Sequence, residues 1–164
     1  MKMLYVIRHA KSSWDHPLLN DFNRPLNERG ERDAPRMGKR LKEKYVVPDL
    51  MLSSPASRAL NTCEKIAEVL GYPVEKIKTD DDLYHAEDEE ILRIVKKIND
   101  KHNVVLIFGH NPGLTDFTNR LTDTIIDNVP TCGVVACSFH IGSWKEVDWK
   151  SGKVEFFDYP KRKA

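Results

Sequence analysis

Residues 104–113 read Val104-Val105-Leu106-Ile107-Phe108-Gly109-His110-Asn111-Pro112-Gly113. An unbroken apolar run rich in β-branched residues predicts a strand covered on both faces, as in the middle of a parallel sheet. The run stops on a glycine and a histidine, and Asn-Pro-Gly then signals a turn. A second stretch has the same form: Met3–Ile7 is apolar, and it stops on Arg8, His9 and Ala10. Two core strands thus end on polar, ionisable residues.

Between and beyond these strands, strand-like runs alternate with amphipathic segments, the pattern of a three-layer α/β/α unit with a mostly parallel sheet. Asn27 is placed to cap a helix that carries Ala34, Met37 and Leu41 on one face. Pro35 lies inside that pattern and predicts a kink or a late start, since an interior proline costs about 3 kcal/mol. Asp49–Leu52 reads as a short strand. Ser54 and Pro55 then have the types favoured at an N-cap and a first helical position. Ala59, Thr62, Cys63, Ile66, Ala67 and Leu70 follow at helical spacing, and Gly71 is a good terminator. Val74–Lys78 reads as a short strand, 87–99 as a helix, and a helix follows Gly113 through Leu114, Phe117 and Leu121. Residues 133–141 and 154–159 read as strands separated by turn signals, which predicts an antiparallel edge at the C-terminal end.

The chain has 164 residues, 26 Lys and Arg against 25 Asp and Glu, a net charge of +1, and 40% hydrophobic residues. This length is that of one domain, 1–164, with room for a core. The balanced charge argues against a nucleic-acid partner, which needs a strongly basic face. The basic tail Lys161-Arg162-Lys163-Ala164 reads as solvated. The cysteines at 63, 132 and 137 show no CxxC spacing and cannot all pair. With the apolar run at the start too short for a leader, this predicts a reduced, cytoplasmic location and no membrane partner. No HExxH, Cys/His cluster, GxGxxG or Walker A pattern suggests a metal or cofactor. The run Asp80-Asp81-Asp82 reads as a solvated turn, and Trp14, Trp144 and Trp149 read as packing residues.

In open parallel sheets, ligands bind beyond the carboxyl ends of the strands. Arg8 and His9 from one strand, His110 from another and Arg58 from the first turn of the middle helix would meet there. Side chains in that turn lean toward the helix N-terminus, whose dipole favours anions. Two arginines and two histidines in one place call for an anion. Arginine forks grip phosphate oxygens, and an unprotonated imidazole nitrogen is a nucleophile.

Arg8-His9-Ala10, Ser54-Pro55-Ala56-Ser57-Arg58-Ala59 and Gly109-His110-Asn111-Pro112-Gly113, in this order, resemble the signature of the histidine phosphatase superfamily, the phosphoglycerate mutase-like fold. The chain's length, with Arg24-Pro25-Leu26 followed by Glu28-Arg29-Gly30, looks most like the SixA-type phosphohistidine phosphatases. The resemblance covers roughly 3–160. It implies a metal-independent phosphatase in which His9 takes up the phosphoryl group, Arg8 and Arg58 clamp it and His110 hydrogen-bonds it, with Arg24 at the substrate end. The implied substrate is a phosphorylated protein or a small phosphorylated molecule, handled by a monomer or weak dimer.

The sequence departs from the broad pattern twice. Ala10 stands where glycine is usual, so the backbone there should have negative φ. In the stretch Leu83-Tyr84-His85-Ala86-Glu87, His85 matches the place of the usual carboxylate acid, and His85 and Glu87 are the acids this stretch offers. A phosphohistidine releases an imidazole, whose conjugate acid has a pKa near 6.5; it leaves far more readily than an alkoxide. The departure therefore favours a phosphohistidine on a signalling protein. The alternatives are a small-molecule phosphomonoesterase and a phospho-dependent binding module without turnover.

Overall fold

The computed structural model describes residues 1–16 and 18–162. The end of the basic tail, Lys163 and Ala164, lies outside the described residues. Six strands form one sheet, in chain order β1 (Lys2–Arg8), β2 (Leu50–Ser53), β3 (Lys78–Thr79), β4 (Val104–Gly109), β5 (Val134–Phe139) and β6 (Lys153–Asp158). Their spatial order is β3-β2-β4-β1-β5-β6. The first four are parallel, and β5 and β6 are antiparallel, as expected of the C-terminal edge.

Alternation along the central strands builds two cores. Leu4 and Val6 of β1 and Val105 and Ile107 of β4 face one side, where they pack with Ile91, Val95 and Phe117. Tyr5 and Ile7, with Leu106 and Phe108, face the other and meet Met37, Leu41, Cys63 and Ile66. Helices α3 (Asp88–Lys96) and α4 (Gly113–Leu121) therefore cover one face, and α1 (Glu28–Glu43) and α2 (Ser57–Leu70) the other. This is the three-layer α/β/α architecture that the two-sided burial of β4 requires.

Several local expectations are corrected. Helix α1 starts at Glu28, directly after its cap Asn27, and continues through Pro35. The missing hydrogen bond costs about 3 kcal/mol. Met37 and Leu41, both buried on the same helix, each return about 1.5–3 kcal/mol. The strand expected over 74–78 is instead a 3₁₀ turn, Val74–Lys76, followed by the two-residue β3. Helix α3 is shorter than its apolar pattern, and Asp80 caps a 3₁₀ turn, Asp81–Leu83. Helix α2 does end at Gly71, with φ 75°. Trp144 is fully buried, whereas Trp14 is 75% exposed and does not pack in the core. Among the described residues, no helix is long and apolar enough to cross a membrane.

Candidate active site

Parallel pairing of β1 with β4 sets Arg8 opposite Gly109. The next residues, His9 and His110, therefore leave the sheet side by side, and the His9 amide still donates to the Gly109 carbonyl at 3.2 Å. Their ring centroids are 5.3 Å apart, and both side chains are buried. His9 Nδ1 lies 2.7 Å from the Ala10 carbonyl. A carbonyl only accepts, so Nδ1 carries the proton and Nε2 of the neutral ring is bare. Burial, then the charges of Arg58, Arg8 and Arg24, push the His9 pKa down to about 4, with the Ala10 bond pulling the other way. Ala10 is not among the positive-φ residues, as its Cβ requires. Its amide donates to Thr62 Oγ1, which in turn donates to the Arg58 carbonyl, tying the strand end to α2.

His110 is held by its other nitrogen. Nε2 lies 2.8 Å from Ser54 Oγ, which also accepts from the Ala56 amide at 3.2 Å. With the serine proton directed to Nε2, the ring's own proton lies on Nδ1. That Nδ1 is buried and has no partner. Burial, then the neighbouring His9, push the His110 pKa down to about 3. Ser54 is thus not the cap of α2; Ala56 is, without a side-chain bond. Of the α2 start, Arg58 alone lines the pocket, and the main chain of 55–57 does not.

Arg8 donates from Nη1 to the Val129 carbonyl at 3.0 Å, and its Nε is buried without a partner. Arg24 is brought in by a loop that folds back, with Ser12 paired to Leu26 and the Ser13 amide donating to the Pro25 carbonyl. Its nitrogens donate to Ser13 O, Asp21 Oδ1 and Ser12 Oγ, and its guanidinium lies 3.4 Å from the Trp14 ring centroid. Arg8, His9, Arg24, Arg58, His85 and His110 line one cavity of about 190 Å³, so all six expected site residues come together. Among the described residues, no Asp or Glu lines it.

Sequence reading missed Lys11, Ser12, Trp14, Asn111 and Thr131 in the same wall. It also missed Asp21, on a 3₁₀ turn spanning Asp21–Asn23. Arg58 donates to the Asp21 carbonyl at 2.7 Å and to Oδ2 at 3.0 Å. Arg24 donates to Oδ1 at 2.8 Å, and the Tyr84 hydroxyl to Oδ2 at 2.7 Å. Partial burial raises the Asp21 pKa, but the bonds from Tyr84, Arg24 and Arg58 outweigh it and hold the carboxyl well below the usual range. The only sequence signal was the Asp21/Arg24 spacing, common in any turn. Among the described residues, no group of three or more His, Cys, Asp or Glu is placed to hold a metal ion.

A phosphoglycerate mutase-like α/β sheet with a cationic pocket at the carboxyl ends of its parallel strands defines a class of phosphoryl-handling enzymes. The family model of the histidine phosphatase superfamily, branch 1, matches residues 4–85. A chloroplastic protein of Arabidopsis thaliana is 30% identical over 159 residues, covering 92% of this chain and 72% of its own. A candidate phosphohistidine phosphatase SixA of Agrobacterium tumefaciens superposes with a TM-score of 0.77 at 25% identity, over 97% of this chain and 98% of its own. The protein histidine phosphatase SixA complexed with tungstate gives 0.83 at 19% identity, over 96% and 97%. The chain belongs to the histidine phosphatase superfamily and is a phosphatase with the SixA architecture.

Proposed function

We propose that His9 is the nucleophile of a two-step phosphatase and that the substrate is a phosphohistidine carried on a protein. The observation that carries this is the fixed tautomer of His9: Nδ1 is tied to the Ala10 carbonyl, and Nε2 is bare among three arginines and a second histidine. In the first step Nε2 attacks phosphorus, the bond to the leaving group breaks, and the phosphoryl group rests on His9. Arg8 and Arg58 grip its equatorial oxygens, and His110 Nδ1 donates to one of them; fixed donors aimed at developing charge are the main source of catalysis in such transfers. Arg24 faces the substrate end. In the second step water attacks the phosphohistidine, and phosphate leaves.

Two features support the phosphohistidine substrate. The cavity, about 190 Å³, is smaller than the roughly 300–1,000 Å³ of sites that enclose whole small molecules. It suits a phosphoryl group whose carrier stays outside. Among the described residues the pocket wall also has no carboxylic acid, and nearby Asp21 is ionised and held by arginines. An imidazole leaving group tolerates this better than an alkoxide does.

The experiment is a steady-state comparison of a phosphorylated histidine-phosphotransfer protein with sugar phosphates and p-nitrophenyl phosphate, with and without chelator. The expected order has the phosphoprotein highest in kcat/KM, with no effect of chelator. Faster turnover of the sugar phosphates would move the assignment to a small-molecule phosphomonoesterase. Phosphate binding with no turnover of any substrate would leave a binding module.

A further inference from the structure

Trp14 stands at the rim of the phosphoryl cavity. Among the described residues it is the one tryptophan, tyrosine or phenylalanine on that wall, beside Lys11 and Arg24. One face of the indole lies on Arg24, whose guanidinium carbon is 3.4 Å from the ring centroid. The other face is left to solvent, and the residue is 75% exposed. A packed tryptophan covers about 150–250 Å², so a large flat surface stays uncovered at the mouth of the site. The ring is nevertheless held in place. Arg24 beneath it is fixed by bonds to Ser13 O, Ser12 Oγ and Asp21 Oδ1. The backbone on either side is pinned too. The Ser13 amide donates to the Pro25 carbonyl at 2.8 Å, and the Asp15 amide donates to Ser13 Oγ at 3.0 Å.

We propose that Trp14 is the specificity-determining residue of the site and that its free face stacks on the imidazole ring that carries the phosphoryl group. This deepens the phosphohistidine reading above and rests on it. The cavity, about 190 Å³, takes a phosphoryl group and leaves its carrier outside. The first atoms beyond the bond to phosphorus therefore meet the rim, and in a phosphohistidine those atoms form a flat ring. Aromatic rings pair in offset or edge-on contacts with centroids roughly 4.5–7 Å apart. Arg24 fixes the indole from its far side by a cation–π contact and leaves the near side open. Guanidinium, indole and imidazole then lie in one stack. A sugar or glycerol phosphate brings no flat face and makes no such contact. The cations of the wall, Arg8, Lys11, Arg24 and Arg58, attract every phosphate alike; the indole is the group that tells one carrier from another.

The test compares two P–N substrates that differ in the ring. Phosphoramidate releases ammonia and has none; free phosphohistidine releases an imidazole. In Trp14→Ala, kcat/KM for phosphohistidine should fall about tenfold more than kcat/KM for phosphoramidate, with the difference in KM. Both substrates share a smaller loss, because Arg24 loses the ring on which it lies. Trp14→Phe keeps a flat face and should hold kcat/KM for phosphohistidine within threefold of the unsubstituted protein. Trp14→Leu keeps apolar bulk without a flat face and should behave as Trp14→Ala does. Losses in Trp14→Ala that agree within threefold for the two substrates would overturn the stacking, as would full discrimination in Trp14→Leu. A loss seen only with a phosphohistidine-bearing protein would assign the indole to the carrier's surface and overturn its contact with the ring. If the unsubstituted protein turns over no phosphohistidine, the substrate reading fails and this inference with it; turnover of phosphohistidine with equal losses in the variants fails the stacking alone.

Discussion

His9 and His110 leave adjacent parallel strands at the same level, both buried and both with pKa values pushed well below the ordinary range. They differ in which nitrogen is held. A carbonyl holds His9 at Nδ1 and frees Nε2 as a lone pair; a serine hydroxyl meets His110 at Nε2, and a serine that gives its proton there leaves the ring's own proton on Nδ1. The position in the fold is shared, and in the mechanism we propose the neighbouring hydrogen bond separates nucleophile from donor.

The largest effect that can break this comparison is His9→Ala, which should lower kcat by about 10⁴-fold or more, as loss of a nucleophile does. Single-turnover assays would measure it, and a residual rate within tenfold of the unsubstituted protein would remove His9 from the chemistry. His110→Ala should cost about 10²–10³-fold, the loss of one preorganised donor to a developing charge, while phosphoryl uptake by His9 persists. If it instead abolishes uptake altogether, the two roles are not distinct.

Ser54→Ala sharpens the comparison. It removes the hydroxyl that meets His110 Nε2 and also the acceptor of the buried Ala56 amide. It should cost about tenfold in kcat, the worth of one hydrogen bond, together with a lowered melting temperature of the size that one unsatisfied buried amide, about 1–3 kcal/mol, brings. A Ser54→Ala protein with unaltered kcat would mean that the tautomer is set otherwise. The smallest effect at neutral pH is in the pH profile. His9 folded titrates at about 4, below its ordinary 6.5, so kcat/KM should stay level from neutral to about pH 5 and fall as Nε2 takes up a proton near 4. Stability should follow the same sign. Between 6.5 and about 4 the unfolded chain binds protons that folded His9 refuses, so stability is lost on acidification through that window and is independent of His9 above it. An acid limb near 6.5 in kcat/KM would contradict the buried, neutral His9.

The strand ends were legible because each rests on a continuous apolar run closed by a histidine, a local pattern that survives in three dimensions. The arginine of α2 was legible from helical spacing. The reading of Ser54 was not, because the residue type favoured at a helix cap serves His110 instead. Asp21 was invisible for a different reason. It reaches the site only because the 12–26 loop folds back on itself, and its partners Arg58 and Tyr84 are 37 and 63 residues away in sequence. Trp14 failed likewise: an indole read as a packing residue is exposed and lies on the guanidinium of Arg24 at the pocket rim. Pro35 shows the limit of local propensity, since the packing of Met37 and Leu41 offsets the broken turn.

The central claim is that the phosphoryl group passes through His9. Rapid mixing with a phosphohistidine-bearing protein, quenching in alkali and locating the phosphoryl group by mass spectrometry tests it directly. The account predicts a transient, alkali-stable phosphoryl group on His9 that is absent in His9→Ala. Phosphate released at full rate with no phosphoryl group ever on the protein, or one found on His110, would contradict it.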